Sequence, residues 1–461
     1  MRRPNPILAF LAMLAFVVSS QPSSFEVPGF EPPGSSHERQ IKWPTKTIQI
    51  ALSSSLMSSS SAVKPESDVA GAVHRALNSW ATAANITFVE VSSKAQSISP
   101  TSGGDGINLI TIAPTAENLA IFDGGSNTAR TRVFYDPENG EISEADIVIN
   151  PFPYSAEGVP LQFSTDGTPD TYDLESTLAH EIGHLLGLSH SNVIAATMQA
   201  SQGLNGTYGL PALTERTLSD ADVAAVRSLY GDREKLGSIE GRILNSIDGA
   251  LLPANAAHVW IEDLASGRVI ASSLTSSNGR FSINGVPAGG YRAMAEYRDG
   301  RVDESTALTL AAAHEPRARQ RAFRSVEIKS LLRVAADKAT TLNYVLVPPQ
   351  NSPPALNPRF IGINGELSTV PVPAKAGTKF TLYVGGEGVD QVPGNSLLIS
   401  SPFITVDPAS LMLQQFNSST PVISFDVTVA ANAPPGDYSV RLQSNSGEIA
   451  YLVGGITMTP R

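Results

Sequence analysis

The chain contains no cysteine among its 461 residues. That absence removes disulfide staples, a lipid anchor attached through a thiol and a thiol that could block a bound metal, so stability has to come from packing. There is also no extended run of lysine or arginine. With 32 basic against 43 acidic residues the formal net charge is -11, a balance that repels polyanions, so no nucleic-acid partner is expected. The short basic patch Arg317, Arg319, Arg321 and Arg324 reads as a solvated loop. Beyond the first twenty residues no apolar run is long enough to span a bilayer, and no segment repeats at a fixed period.

What is present begins with a leader. Residues 1–20 open with Arg2 and Arg3, continue through the apolar run Ile7 to Val18 and end on the small residues Ser19 and Ser20, which is the pattern of a secretory signal peptide. Its apolar core of about a dozen residues falls short of the roughly 20 that a spanning helix requires. The expected location is therefore secreted or extracellular, with cell-surface association open and no stable membrane insertion after signal cleavage. Residues 21–40 form a short linker or pro-segment. The remaining length suits two to four domains at about 100–200 residues each.

The most informative stretch is His180-Glu181-Ile182-Gly183-His184-Leu185-Leu186-Gly187-Leu188-Ser189-His190. Two histidines four residues apart lie on one face of a helix, about one turn from each other, so His180 and His184 can aim ring nitrogens at one cation. Glu181 then sits beside that ion, where a carboxylate can take a proton from an activated water and pass it to a departing amine. Gly187 can adopt the left-handed conformation that ends a helix and turns the chain back, bringing His190 to the same ion. Three protein ligands leave a fourth position open, as hydrolytic zinc sites do; four would have suggested a structural site.

This segment resembles the extended zinc motif of the metzincins, and together with Met198 it resembles the matrixin branch, the relatives of the matrix metalloproteinases, in a bacterial form with C-terminal β-sandwich modules. The resemblance implies one catalytic zinc held by His180, His184 and His190, Glu181 as general base, and Met198 as the floor of a turn beneath the metal. It also implies that an extended protein or peptide substrate pairs with an edge strand of the sheet, and that the loop Gln199 to Thr217 walls the pocket beside the metal. Two departures bear on the comparison. Between Ile41 and Ala179 the chain has only His74, so the second, structural zinc of animal matrixins is not expected, and Gln199-Ala200-Ser201 replaces the usual Pro-x-Tyr after the methionine. Calcium is possible: Asp105, Asp123, Asp136, Glu138 and Asp146 are hard oxygen donors, though they serve equally as a solvated acidic surface.

Periodicity supplies the fold class: an α+β catalytic domain, with a mixed sheet and an active-site helix, followed by two all-β sandwich domains. Thr47 to Leu52 alternates as a strand does, whereas Val69, Val73, Ala76, Leu77 and Trp80 recur at helical spacing. Ile86 to Val91, Ile107 to Ile112 and Ile147 to Ile149 read as further strands, and the serine run Ser53 to Ser61 as a loop. Asp173 is placed to cap the active-site helix, whose buried face is Leu174, Leu178, Ile182, Leu185 and Leu186. Ser219 and Asp222 have capping-box spacing for a closing helix that ends before Gly231.

The matrixin-like domain spans 41–232. Residues 237–347 carry short alternating runs and turn signals at Asp248-Gly249, Ser277-Asn278-Gly279 and Ala288-Gly289-Gly290, which read as an antiparallel sandwich. Asn278 to Ile283 and Val286 to Tyr291 resemble carboxypeptidase-regulatory-like modules, implying a spacer or adhesion role with His258 and His314 as ordinary residues. A proline-rich linker at 348–358 has a spacer's composition. It precedes an immunoglobulin-like sandwich at 359–461, marked by the alternations Phe380-Leu382-Val384 and Ile423 to Val429. The expected function is a secreted zinc-dependent endopeptidase. The alternatives are a catalytically silent surface adhesion or scaffolding protein that retains a metzincin domain, and an amidase using the same chemistry on a non-peptide substrate.

Overall fold

A computed structural model describes residues 23–25 and 40–459, apart from 123–126, 156–157, 212–215, 248–249, 298–321, 351 and 417–419. The signal segment, most of residues 21–40, Asp123, His314, Arg317, Arg319, Arg321 and the Asp248-Gly249 turn lie outside the described residues. In the first unit a six-stranded sheet is built from β1 (Ser23–Phe25), β2 (Thr47–Ser53), β3 (Thr87–Ser93), β4 (Leu109–Thr111), β5 (Ala129–Tyr135) and β6 (Ile142–Ile149). Their order in space is β1-β5-β6-β4-β2-β3. Pairing is parallel from β6 through β3, while β5 runs antiparallel to both β6 and β1. Two-residue strands β7 (Phe163–Ser164) and β8 (Tyr172–Asp173) sit apart from this sheet. The serine run expected as a loop instead makes a 3-10 turn at Ser54–Met57, because the Ser53 side chain accepts from Ser55 N–H and caps it.

Helices α1 (Val69–Ala84), the short α2 (Ala116–Ala120), α3 (Leu174–Leu185) and α4 (Asp220–Tyr230) accompany the sheet. The α1 stripe of Val73, Ala76, Leu77 and Trp80 is buried in one core with Leu174, Leu178, Ile182, Leu185 and Leu186. All five of those apolar residues are fully buried. At about 1.5–3 kcal/mol for each fully buried side chain of this size, their burial is the main force seating the helix.

Both ends of α3 are closed by specific partners. Asp173 accepts from Ser176 N–H at 2.9 Å and binds Arg216 through Nε at 2.9 Å and Nη2 at 2.5 Å. At the other end a helix leaves carbonyls without intrahelical donors. Here the Trp43 indole N–H donates to Leu185 O at 2.9 Å, and the Tyr230 hydroxyl donates to Leu186 O at 2.7 Å.

The second unit contains β9 (Leu236–Ile247), β10 (Ala250–Pro253), β11 (His258–Asp263), β12 (Val269–Leu274), β13 (Arg280–Pro287), β14 (Gly289–Glu296), β15 (Val326–Val334) and β16 (Ala339–Val347). One sheet is β10-β9-β13 with β16 added on β9, the other β12-β11-β14-β15, and side chains from both fill one core. Pairing is antiparallel except between β16 and β9, which run parallel. That corrects the expectation of a wholly antiparallel unit. The alternation of side chains is the same in both kinds of ladder, so sequence periodicity could not tell them apart. His258 is buried on β11, its Nδ1 3.1 Å from Glu296 Oε1 and its ring stacked on Trp260.

The third unit contains β17 (Asn357–Gly362), β18 (Val372–Ala374), β19 (Lys379–Glu387), β20 (Leu397–Ile399), β21 (Ile404–Val406), β22 (Met412–Gln414), β23 (Val422–Val429), β24 (Gly436–Gln443) and β25 (Ile449–Met458). Its sheets are β17-β19-β23-β21, with β22 on β23, and β18-β25-β24-β20, and again they share a core.

The three units meet directly. Val193 and Ala196 from the loop after His190, Ala221 from α4, Trp260, Val269 and Met294 from the second unit, and Val453 from the third form one buried apolar cluster. Beside it the buried Glu262 carboxylate accepts from Arg292 Nη2 at 2.6 Å and from Ser439 Oγ at 2.9 Å. Arg292 also donates to Ser400 O at 2.6 Å, tying the second unit to the third.

Because Asp173 is buried and serves both as the cap of α3 and as the partner of Arg216, Asp173→Ala is expected to destabilise the first unit by about 2–4 kcal/mol. The measurement is urea unfolding followed by helical circular dichroism; an unchanged midpoint would show that the cap and ion pair contribute nothing.

Candidate metal centre

The site is organised by the way α3 ends. Gly187 has φ of 96°. Around it Leu188 N–H donates to Gly183 O at 3.0 Å and Gly187 N–H donates to His184 O at 2.9 Å, the paired bonds of a left-handed helix terminus. A Cβ at Gly187 would lie 2.1 Å from Ile41 O, so both the backbone angle and the space demand glycine. The turn also orients a ring, since His184 Nδ1 lies 2.8 Å from Leu188 O. His180 is held in the same manner by Thr197 O, 2.8 Å from its Nδ1.

These two carbonyls accept a hydrogen bond from Nδ1–H, the tautomer in which Nε2 of the neutral imidazole carries no proton. The Nε2 atoms of His180, His184 and His190 converge to 3.1 Å in each of the three pairs. A tetrahedral zinc with Zn–N bonds of about 2.0–2.1 Å spaces its donors about 3.3 Å apart, so the three atoms fit one such ion. Lone pairs facing one another at this range repel until a cation lies between them. Burial favours the neutral rings that ligation needs: it drops His184 to about 3, with the neighbouring His180 acting in the same direction, and it pushes His190 well below its ordinary value. His190 Nδ1 is buried and has no hydrogen-bond partner among the described residues.

Glu181, one residue along α3 from His180, is 5% exposed and receives the Thr131 hydroxyl at 2.5 Å on Oε2. Burial raises its carboxyl above the ordinary range, while the neighbouring His180 and the Thr131 hydrogen bond pull the other way. Thr131 stands on β5, a strand that the periodicity reading missed. Met198 lies under α3 so closely that a Cβ on Gly183 would meet its sulfur at 2.2 Å. The backbone N–H groups of Thr197 and Met198 donate to the two oxygens of Asp222 at 2.7 and 3.1 Å. Asp222 was legible only as the capping-box partner of Ser219, a bond that is also present. It therefore fixes the turn whose carbonyl orients His180.

The open cleft beside these groups is lined by Asn127 to Thr131, by Ser176 and Thr177, and by Gln199 to Gln202. Gln202 accepts from Thr177 and Thr128 and donates to Asp173 O, which fastens the wall to the start of α3.

Among the described residues the candidate calcium donors form no group of three placed to share an ion. Asp146 is buried, accepting from Ser99 N–H and Leu109 N–H, and Asp136 accepts from Glu138 N–H in the β5–β6 turn. Asp105 is exposed. Among the described residues the three histidines are the only group of three or more such side chains placed to share an ion.

Residues 42–231 match the model of the matrixin family, peptidase M10. Metalloendoproteinase 1 of Glycine max is 27% identical over 168 residues, covering 35% of this chain and 45% of that protein. Metalloendoproteinase 4-MMP of Arabidopsis thaliana is 35% identical over 97 residues, or 21% of this chain and 24% of its own. Karilysin of Tannerella forsythia is 33% identical over 139 residues, or 30% and 25%. The chain thus spans less than half the length of each of these relatives. Residues 42–231 are a matrixin domain, and the sheet-rich remainder of the chain lies outside that match.

Proposed function

We propose that the chain is an exported zinc-dependent endopeptidase in which His180, His184 and His190 hold one catalytic ion and Glu181 is the general base. The observation that carries this reading is the convergence of three Nε2 atoms 3.1 Å apart next to a buried carboxylate on an open cleft. When bound, zinc supplies a Lewis acid that lowers the pKa of a water to about 7 and polarises a scissile carbonyl. The residues of the chain do the rest. The backbone carbonyls Thr197 O and Leu188 O fix the tautomers of His180 and His184. Glu181 takes the proton of the attacking water and hands it to the leaving amine, and its burial keeps its affinity for that proton high. Thr131 holds the carboxylate by donating to it.

The substrate is a protein or peptide in extended form, laid along the Ala129–Arg132 part of β5, the stretch of that side which β1, paired only with Val133 to Tyr135, does not cover, so that its backbone bonds to the strand that carries Thr131. The wall Gln199 to Gln202 limits the side chain accepted next to the metal. The leader at residues 1–20 sends the protein out of the cell, to the medium or to the surface. No helix among the described residues is long and apolar enough to cross a membrane.

The purified protein is expected to contain one zinc per chain and to cleave an unstructured protein such as casein. A chelator should abolish cleavage and zinc should restore it. Glu181→Ala should keep the metal and lose about 10²–10⁴-fold in kcat. Zinc-loaded, folded protein that cuts neither casein nor a peptide library would favour the scaffolding reading, and activity confined to non-peptide amides the amidase reading.

Thr131→Val tests the environment of the base separately. The hydroxyl stabilises the ionised carboxylate, so its removal raises the pKa of Glu181 and moves the acid limb of the kcat/KM profile to higher pH. A limb that stays in place would remove Thr131 from the mechanism.

A further inference from the structure

The segment between the third histidine and α4 is gripped by the C-terminal unit on both sides of the cleft wall. On the His190 side, Ile194 N–H donates to Val453 O on β25 at 2.8 Å, and Val193 is fully buried in the cluster that contains Val453. On the other side lies Tyr208, six residues beyond Gln202. Its side chain is 2% exposed and belongs to the core of the third unit, not to that of the matrixin domain. The hydroxyl lies 2.9 Å from Ile361 O and 2.8 Å from Val370 O. Its backbone N–H donates to Glu366 Oε2 at 2.7 Å, and its carbonyl accepts from Asn364 Nδ2 at 2.8 Å. Both backbone polar groups and the hydroxyl of one residue are thus engaged by a single stretch, Ile361 to Val370.

Tyr208 has φ of 63°. A bulky residue adopts that region only where its surroundings over-determine it. Here the surroundings are those polar contacts and an apolar core. Between the two grips, Gln202 is fastened to Thr128, Thr177 and Asp173, and Asn205 donates to Thr171. The wall is therefore stretched between the matrixin domain and the last unit, with Gly206 and Gly209 in left-handed conformations on either side of Tyr208. Tyr208 itself is absent from the lining of the cleft.

We propose that Tyr208 is a positioning residue through which the C-terminal unit sets the shape of the cleft wall, so that the peptide selectivity of the site depends on the loop Ile361 to Val370. This rests on the endopeptidase reading. Its consequence is that the last unit is a structural part of the protease and not a tether.

The test uses the full chain. Tyr208→Ala removes the anchor from one side, and the double variant Asn364→Ala/Glu366→Ala loosens it from the other, far from the metal; Tyr208→Phe keeps the ring. The readout is the ratio of kcat/KM for two peptides differing only in the residue after the scissile bond, alanine or leucine. Zinc content and the hydrogen exchange of residues 199–210 are read alongside.

Tyr208→Ala and the double variant are expected to change the ratio by about fivefold or more, with zinc still at one per chain and exchange accelerated in 199–210 but not in α3. Tyr208→Phe should stay close to the parent. An unchanged ratio in the double variant, or a uniform fall in both rates with parent-like exchange in 199–210, overturns the proposal. If Tyr208→Ala does not fold, the double variant decides. A parent that cleaves neither peptide counts against the endopeptidase reading instead, and the exchange of 199–210 then decides alone whether the last unit positions the wall.

Discussion

Bringing three histidine ring nitrogens within 3.1 Å of one another is electrostatically unfavourable without a cation between them, and the rest of the matrixin domain can be understood as the scaffold that enforces it. Each component of that scaffold removes a freedom the rings would otherwise use to move apart. The buried face of α3 prevents the helix from rotating. The left-handed turn at Gly187 sends the chain back at a fixed angle, and two backbone carbonyls pin the Nδ1 side of His180 and His184. In a chain without disulfides these constraints have to come from packing and hydrogen bonds, and large aromatic residues sit at the C-terminal end of α3 and along its side. Trp43 and Tyr230 take its last carbonyls, and the Trp80 indole donates to Ala179 O from α1.

Asp222 extends the scaffold outward. Its carboxylate caps α4 through Ser219 and at the same time receives Thr197 N–H and Met198 N–H, so the turn beneath the three histidines is built onto the start of α4. The same helix then divides its surface among three cores. Val226 and Tyr230 face the matrixin domain, Ala224 enters the core of the second unit, and Ala221 enters the cluster where all three units meet. A change in how the C-terminal units seat on α4 is therefore mechanically connected to Thr197 O and to the orientation of His180. Composition alone suggested spacers on a proline-rich joint; the contacts describe modules that share a helix with the site.

The parts of this arrangement that were legible in the sequence are those encoded within a few residues. His180, Glu181, His184, Gly187 and His190 are contiguous. The helical stripe on α1, the Asp173 cap and the Ser219–Asp222 box depend on spacings of three or four. The groups that went unseen join residues far apart in the chain: Thr131 with Glu181, Trp43 with Leu185, Asp222 with Met198, Tyr208 with Ile361. None leaves a local pattern. Strand β5 is a different case, since the alternation of Arg130 and Arg132 with Thr131 and Val133 ahead of Phe134-Tyr135 is a strand pattern that the reading of the sequence passed over. Arg132 is in fact buried, donating to Ser99 O and paired with Glu117, a contact again set by tertiary structure.

Strand β5 carries more of the proposed chemistry than its plain sequence suggests, and register is the reason. It pairs with β6 so that Thr131 stands opposite Ile147, and this places the Thr131 side chain on the face toward α3, where it meets Glu181. Successive side chains point to opposite faces, so a slip of one residue would present Arg130 or Arg132 to the carboxylate and turn the hydroxyl away. A cation directly against Glu181 would stabilise its ionised form and weaken it as a proton acceptor, whereas a neutral hydroxyl holds it in place at smaller cost to basicity. On β6, Ile147 and Ile149 are fully buried in the core that holds α3, and Val148 is fully buried in a separate cluster with Ile98, Ile121 and Phe122, so packing on both faces fixes that register. The position of one hydroxyl at the base is thus determined by the packing of a strand that never reaches the cleft.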